Sequence, residues 1–512
     1  MSRKFTSTVA GASLLLTILG LLSRGIGFIR EIVFASYFGL GRNYDIYLVG
    51  AVLPVTIDTI IFYLGQNFFI PSFHNFSSTS QEHKDKFLRF NFWFFSAFGI
   101  LVAGMMYLFS NQIVSLYLGD APAEDIIKAT GVFQIFLITI PFTTSVSILS
   151  ALLHSKFNFV SPGISRLFLN ISIIVLVFLF TDVLDIYIIP IGYVTGTILQ
   201  FIYLLTKTDL KLFGESFSKG ALNSILKSSF VVTILVESIS QLYIISDRYF
   251  ISSVDSGGIA ALNYAQTLYL LPISIVTLAL STAVLPKLSK SFASGSFTEL
   301  EQTYNDGTKI NLFIFVPLTF IFCFYGDDII RILYQRGNFD SAGTVITFNT
   351  LRYLALSFVF YSTYSISNKL MYSANLTRAL LYITLAGIFI KIIFNFLLVG
   401  LLKQDGLAAS TSLSYLFFFI SSILIIKSKG LTKKIIFSQE LTFHLTNGIF
   451  SLLVVKVLTL LLWSNNHFTD YVGVILFCSI YFLNQFMIRT RSVNLVIGMF
   501  SSLLGRNKKV IS

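Results

Sequence analysis

Charge is scarce in this chain. Asp, Glu, Lys and Arg make up 12% of its 512 residues, where a soluble domain carries about 25%. With 55% hydrophobic and 16% aromatic residues, it has too little polar surface to face water, and lipid must be its solvent. Cysteine is equally scarce. Cys323 and Cys478 both sit in apolar runs, which excludes a disulfide framework. No His/Glu pair has metal-ligand spacing, and no phosphate-binding loop of the P-loop type occurs. Gly25-Ile26-Gly27 is too short for a dinucleotide fingerprint. Neither a cofactor, a metal nor a soluble catalytic domain is expected. No small-residue cleavage site follows the apolar stretch after Arg3 and Lys4, so that stretch reads as a retained span, not a signal peptide.

What the chain has in abundance is long apolar runs. A span needs about 20 such residues, and about fourteen candidates meet that criterion, from Gly11–Tyr37 to Tyr471–Ile488. The expected fold class is therefore all-α and polytopic. The net charge of +12 does not point to nucleic acid, because of where the charge lies. Lys84, Lys86 and Arg89, Lys156 and Arg166, Lys207 and Lys211, and Lys427 to Lys434 fall in alternate segments between spans. The segments between them, such as Ser110–Asp125, Thr181–Asp185 and Ser464–Asp470, are nearly free of positive charge. That asymmetry places both termini in the cytoplasm. Gly326–Gly343 is the exception, outside yet carrying Arg331 and Arg336, as expected of an amphipathic piece at the interface.

The chain also repeats itself. Leu53-Pro54 and Ile70-Pro71 recur as Leu271-Pro272 and Leu285-Pro286, in spans of the same direction. Parallel repeats imply two six-helix lobes with a site between them. The lobes are residues 1–210 and 211–430, and 431–512 adds two final helices and a cytoplasmic tail. Proline inside a span bends its helix.

Charges within the spans are the most informative residues, since each costs at least about 2.5 kcal/mol at the bilayer centre. Arg24 lies about 13 residues into its span, about 20 Å deep. Asp58 lies about as deep in the next, so an Arg24–Asp58 pair is within reach. Arg30, Glu31, Asp45, Glu237, Asp247, Arg248, Arg352, Lys391 and Lys456 also fall within spans. Structural ion pairs between helices are one reading of them. The cations outnumber the acids, however, and an excess of arginine suits a phosphate, whose oxygens match the guanidinium fork.

Three stretches resemble the MurJ (MviN-type) lipid II flippases of the MOP exporter superfamily. The first runs from Leu22 through Ser23-Arg24-Gly25 to Arg30-Glu31, then Phe38-Gly39, Asp45 and Leu53-Pro54. The second runs from Asp247-Arg248 through Ala261 to Ala265, Pro272, and Leu285 to Gly295. The third is Leu333-Tyr334-Gln335-Arg336-Gly337-Asn338-Phe339-Asp340. The resemblance implies a V-shaped bundle in the bacterial inner membrane. By alternating access it would carry a polyprenyl-pyrophosphate-linked oligosaccharide from the inner to the outer leaflet, with this cargo and membrane lipids as partners and no nucleic acid. Arg24, Arg30 and Asp45 match functional positions of the family. With Asp58, Arg248 and Arg352 they form the expected substrate-binding set.

The resemblance has departures. Arginines of the family are replaced at Asp58-Thr59 and at Gln266-Thr267, which brings in capsule, O-antigen or exopolysaccharide units as cargo beside lipid II. Some members hold a sodium ion with an acid and an Asn/Asp pair four residues apart. Here the comparable place reads Lys391 and Asn395, with Glu237 as the nearest acid, so the Lys391 ammonium is expected to replace that ion. Two other classes compete. A MATE-like exporter of organic cations wants buried carboxylates rather than a cationic excess. A membrane-embedded polysaccharide polymerase wants a sizeable outer loop with acid/base residues.

Overall fold

The computed structural model describes residues 9–64, 81–119, 121–208, 253–432, 437–462 and 467–503, with isolated positions at 69, 73, 214, 234, 238–239, 241–243, 245–247 and 249–250. Among these residues the architecture is helical throughout, with no strand. Nine of the described helical stretches are long and apolar enough to cross a membrane, or up to eleven if each of two bent pairs is one span. One of the fourteen apolar runs expected to span, Leu222–Ser252, falls largely outside the described residues. Large apolar side chains such as Leu401, Leu460 and Met487 are exposed, at 82%, 81% and 81%. In water that surface would aggregate; in a bilayer it is the lipid-facing skin.

Backbone contacts divide the chain into two units. Unit 1 is Met1–Ala260 with Arg336–Asp340, and unit 2 is Ala261–Gln335 with Ser341–Ser512.

Unit 1 contains α1 (Val9–Phe38), α2 (Arg42–Leu64), α3 (Gln81–Leu108), α4 (Ser110–Leu118), α5 (Ala123–Leu137), α6 (Thr139–Ser155), α7 (Val160–Leu184) and α8 (Ile188–Lys207). Proline sets one break. Pro141 has no N–H for the carbonyl of Leu137, so the Ile138 amide turns back to Ile135 at 3.2 Å and α5 ends where α6 begins. Small residues set the close packing. A side chain at Gly50 of α2 would lie 2.7 Å from the Ala129 carbonyl of α5. On α8, the Gly192-x-x-x-Gly196 spacing lets the backbone of α7 approach, and a β-carbon at either glycine would meet the Cα of Ile173 or Leu169 at 2.9 or 2.7 Å. This is how helices associate in lipid, where no hydrophobic force drives them together.

Unit 2 contains most of α9 (Gly258–Ala293), then α10 (Phe297–Phe324), α11 (Gly326–Tyr334), α12 (Ser341–Ala355), α13 (Phe358–Ser373), α14 (Thr377–Leu402), α15 (Gln404–Ser428), α16 (Phe437–Leu462), α17 (His467–Met487) and α18 (Arg491–Leu503). Pro272 and Pro286, expected to bend spans, lie inside α9, and α10 contains Pro317. α12 and α13 meet at a 42° bend. There the Ser412 hydroxyl of α15 donates to the Tyr353 carbonyl at 2.5 Å, satisfying a backbone group that lipid could not. α14 and α15 form a hairpin that turns at Lys403, whose φ is +53°. α18 leaves α17 at 99°, too steep to continue the same span. The outer Arg331 that broke the charge pattern lies on the short helix α11 and pairs with Asp328 at 2.7 Å, so its charge is compensated locally.

Candidate functional site

In unit 1 the intramembrane charges of α1 face α7. Arg166 and Asn170 stand one turn apart on α7, and Gly27 of α1 leaves room between the helices, with Asn170 3.8 Å from where its β-carbon would be. Higher on α1, Arg30 is held through two of its three guanidinium nitrogens, and its buried Nε has no hydrogen-bond partner. Its guanidinium donates to Glu31 at 2.6 Å and to the side-chain amide oxygen of Asn170 at 3.1 Å. It also lies over the rings of Phe34 and Tyr193, at 5.6 and 5.4 Å. The Tyr44 hydroxyl reaches the second Glu31 oxygen at 3.4 Å.

Lower on α1, Arg24 is exposed and lies within coulombic reach of Arg166. The Arg166 guanidinium sits 4.7 Å over the Phe62 ring of α2 and makes no ion pair among the described residues. The arrangement thus holds two like charges on neighbouring helices near one another. A diphosphate offers oxygens to both guanidinium forks. Arg166, expected among the cytoplasmic loop charges, lies in the second turn of α7. Its signal was the helix start itself, since Pro162 fits a first turn.

Asp58 does not pair with Arg24. Its carboxylate accepts a hydrogen bond from the Thr139 hydroxyl at 2.6 Å. The reason is local: the break caused by Pro141 starts α6 at Thr139, directly beside α2. Asp45 is buried and accepts from the backbone amides of Gly257 and Ala260 at 2.5 and 2.8 Å. It therefore caps the first turn of α9, a role its sequence neighbourhood does not reveal. The third motif stretch is a clasp on the turn after α1. Asn338 donates its amide to the Ser36 carbonyl at 2.8 Å and its side-chain amide to the Tyr37 carbonyl at 2.5 Å. Gly39 and Gly337, with φ of +54° and +57°, permit that contact, for a β-carbon on either would strike the opposing backbone.

In unit 2, Lys391 is fully buried and donates to the Thr411 hydroxyl of α15 at 2.9 Å. One turn on, Asn395 accepts from Ser410. Arg352 is exposed on α12, 5.3 Å over the Phe348 ring, and lines a cavity with Asp405. Glu237 and Arg248 lie outside the described residues. Among the described residues no group of three His, Cys, Asp or Glu could hold a metal.

The family model described as Lipid II flippase MurJ matches residues 34–483. A probable lipid II flippase MurJ of Borreliella burgdorferi is 26% identical over 458 residues, covering 86% of this chain and 87% of the relative. Lipid II flippase MurJ of Thermosipho africanus is 27% identical over 435 residues, covering 80% and 86%. Among solved structures, lipid II flippase MurJ in an inward closed conformation superposes with a TM-score of 0.81 at 24% identity, over 93% of this chain and 99% of that one. An inward-facing MATE family multidrug transporter of the MOP superfamily reaches 0.66 at 13% identity, over 81% and 98%, a more distant likeness of the same fold. The match of the family model over nearly the whole length places this multi-pass membrane protein in the MurJ family.

Proposed function

We propose that this chain moves a polyprenyl-diphosphate-linked sugar precursor of the lipid II type from the inner to the outer leaflet of a bacterial plasma membrane. The observation that carries the reading is the match of the lipid II flippase family model over residues 34–483, with the Arg166 guanidinium of α7 over the Phe62 ring and in no ion pair among the described residues. Two guanidiniums meet a diphosphate as a pair of forks, whereas a monophosphate engages one of them well. In this reading Arg166 supplies charge that Asp58-Thr59 and Gln266-Thr267 do not, and Arg30 and Asp45 hold the surrounding helices in place. The protein transports and breaks no bond. Both termini lie in the cytoplasm, and residues 1–210, 211–430 and 431–512 are two lobes and a final helix pair. Lys391 serves as a built-in cation, with Glu237 as its counter-charge, so that transport needs no sodium.

The test is binding of polyprenyl diphosphate against polyprenyl monophosphate to the purified protein. About tenfold or greater preference for the diphosphate is expected from one further bidentate contact. Equal affinity overturns the reading. Rescue of a strain depleted of its own lipid II flippase then separates lipid II from capsule or exopolysaccharide units as cargo.

A further inference from the structure

A cavity of about 680 Å³ opens within unit 2, between α10, α12, the start of α15 and α16. Its walls are largely apolar, with Phe320, Phe324, Leu356 and Leu445 among them. Two charged residues also line it, Arg352 and Asp405. They do not neutralise each other. The Arg352 guanidinium lies over Phe348 at 5.3 Å, and Asp405 accepts from the Thr350 hydroxyl at 2.5 Å. Neither takes part in an ion pair among the described residues. Charges at a membrane protein's lipid-facing surface are costly unless something compensates them.

Their depth narrows what that something is. Asp405 stands in the first turn of α15, just past the turn at Lys403. Thr350 ties it to α12, and Arg352 follows two residues later, about 3 Å further along the axis. The two charges therefore lie at nearly one level, near the turn between α14 and α15 that the expected topology puts at the outer face. At that level lipid headgroups sit.

We propose that this cavity binds the headgroup of a zwitterionic aminophospholipid of the outer leaflet. Its phosphate lies on Arg352, its primary ammonium on Asp405, and an acyl chain against Phe320, Phe324 and Leu445. The chemistry selects among lipids. An anionic headgroup would satisfy Arg352 but meet repulsion from Asp405. A choline headgroup brings a cation with no N–H to donate, so the carboxylate gains only a diffuse contact. A primary ammonium donates charge-assisted hydrogen bonds.

The test uses the full chain, purified, stripped of lipid in detergent and offered equal amounts of phosphatidylethanolamine, phosphatidylcholine and phosphatidylglycerol. Retained lipid is read by native mass spectrometry. The intact protein is expected to keep phosphatidylethanolamine several-fold over the other two. Asp405→Asn removes the preference over phosphatidylcholine, and Arg352→Gln removes retention of all three. Cys323 lines the same cavity and gives a second reading that needs no variant. Its alkylation, followed on the peptide, is expected to slow when phosphatidylethanolamine replaces phosphatidylglycerol in nanodiscs. Equal retention of all three lipids, unchanged retention by both variants, or alkylation indifferent to headgroup overturns the proposal. So does stronger retention of a polyprenyl diphosphate in this cavity, which assigns it to cargo.

Discussion

Replacing Glu31 with glutamine removes the negative half of the pair that holds Arg30. The side chains are 18% and 10% exposed and 2.6 Å apart. Removing one partner of a buried pair costs about 3–5 kcal/mol, because the other charge is left uncompensated. The Asn170 bond and the two ring contacts of Arg30 remain, so the lower end applies, about 3 kcal/mol. At roughly 2 °C per kcal/mol for a large domain, Glu31→Gln lowers the unfolding temperature by roughly 6 °C. Arg30→Met strands the carboxylate and costs a similar amount. The double variant leaves no stranded charge and is expected to recover about 2 kcal/mol relative to the sum of the two. Thermal unfolding of the purified protein in detergent measures all three, and flipping is followed in parallel. Additive losses would show that the pair does not stabilise unit 1. A double variant that folds well but does not flip would put Arg30 in contact with cargo and end its assignment as a residue that only holds the helices.

Three further outcomes are expected. Gly196→Leu forces α7 and α8 apart where the β-carbon would meet the Leu169 Cα at 2.7 Å; overpacking of this kind costs about 1–3 kcal/mol, and an unchanged unfolding temperature would contradict the close approach. In a background lacking Cys323 and Cys478, an impermeant thiol reagent added outside labels a cysteine at Asp182 and not one at Ser428, and the reverse pattern inverts the topology. Flipping in vesicles continues when potassium replaces sodium at fixed membrane potential, while Lys391→Asn loses it and regains it with added sodium; loss in the unaltered protein without sodium refutes the built-in cation.

The membrane architecture was legible because hydropathy and loop charge act over windows of about 20 residues and survive errors at individual positions. Arg24 within a span and Pro54 and Pro272 inside helices were legible in the same apolar runs, and Lys391 and Asn395, one turn apart on α14, were legible through the family resemblance. What stayed hidden depends on contacts distant in the chain. Asp58 turns to Thr139 because of a break caused by a proline 83 positions away, at Pro141. Asp45 caps a helix whose amides lie 212 and 215 residues further on. Arg166 was obscured by a boundary: two or three residues decide whether a basic side chain is a loop charge or a site charge. Its partner on α1 is 142 positions earlier.

Whether Arg24 and Arg166 carry a diphosphate across the bilayer is decided by following a fluorescent polyprenyl-diphosphate sugar in proteoliposomes. The unaltered protein is expected to move it from one leaflet to the other. Arg24→Ala abolishes movement and Arg166→Gln slows it, both with unfolding temperatures close to the unaltered protein. Arg24→Lys loses much of the rate, because a point charge lacks the bidentate fork. Movement at the unaltered rate by a folded Arg24→Ala protein would remove the arginines of α1 and α7 from the site.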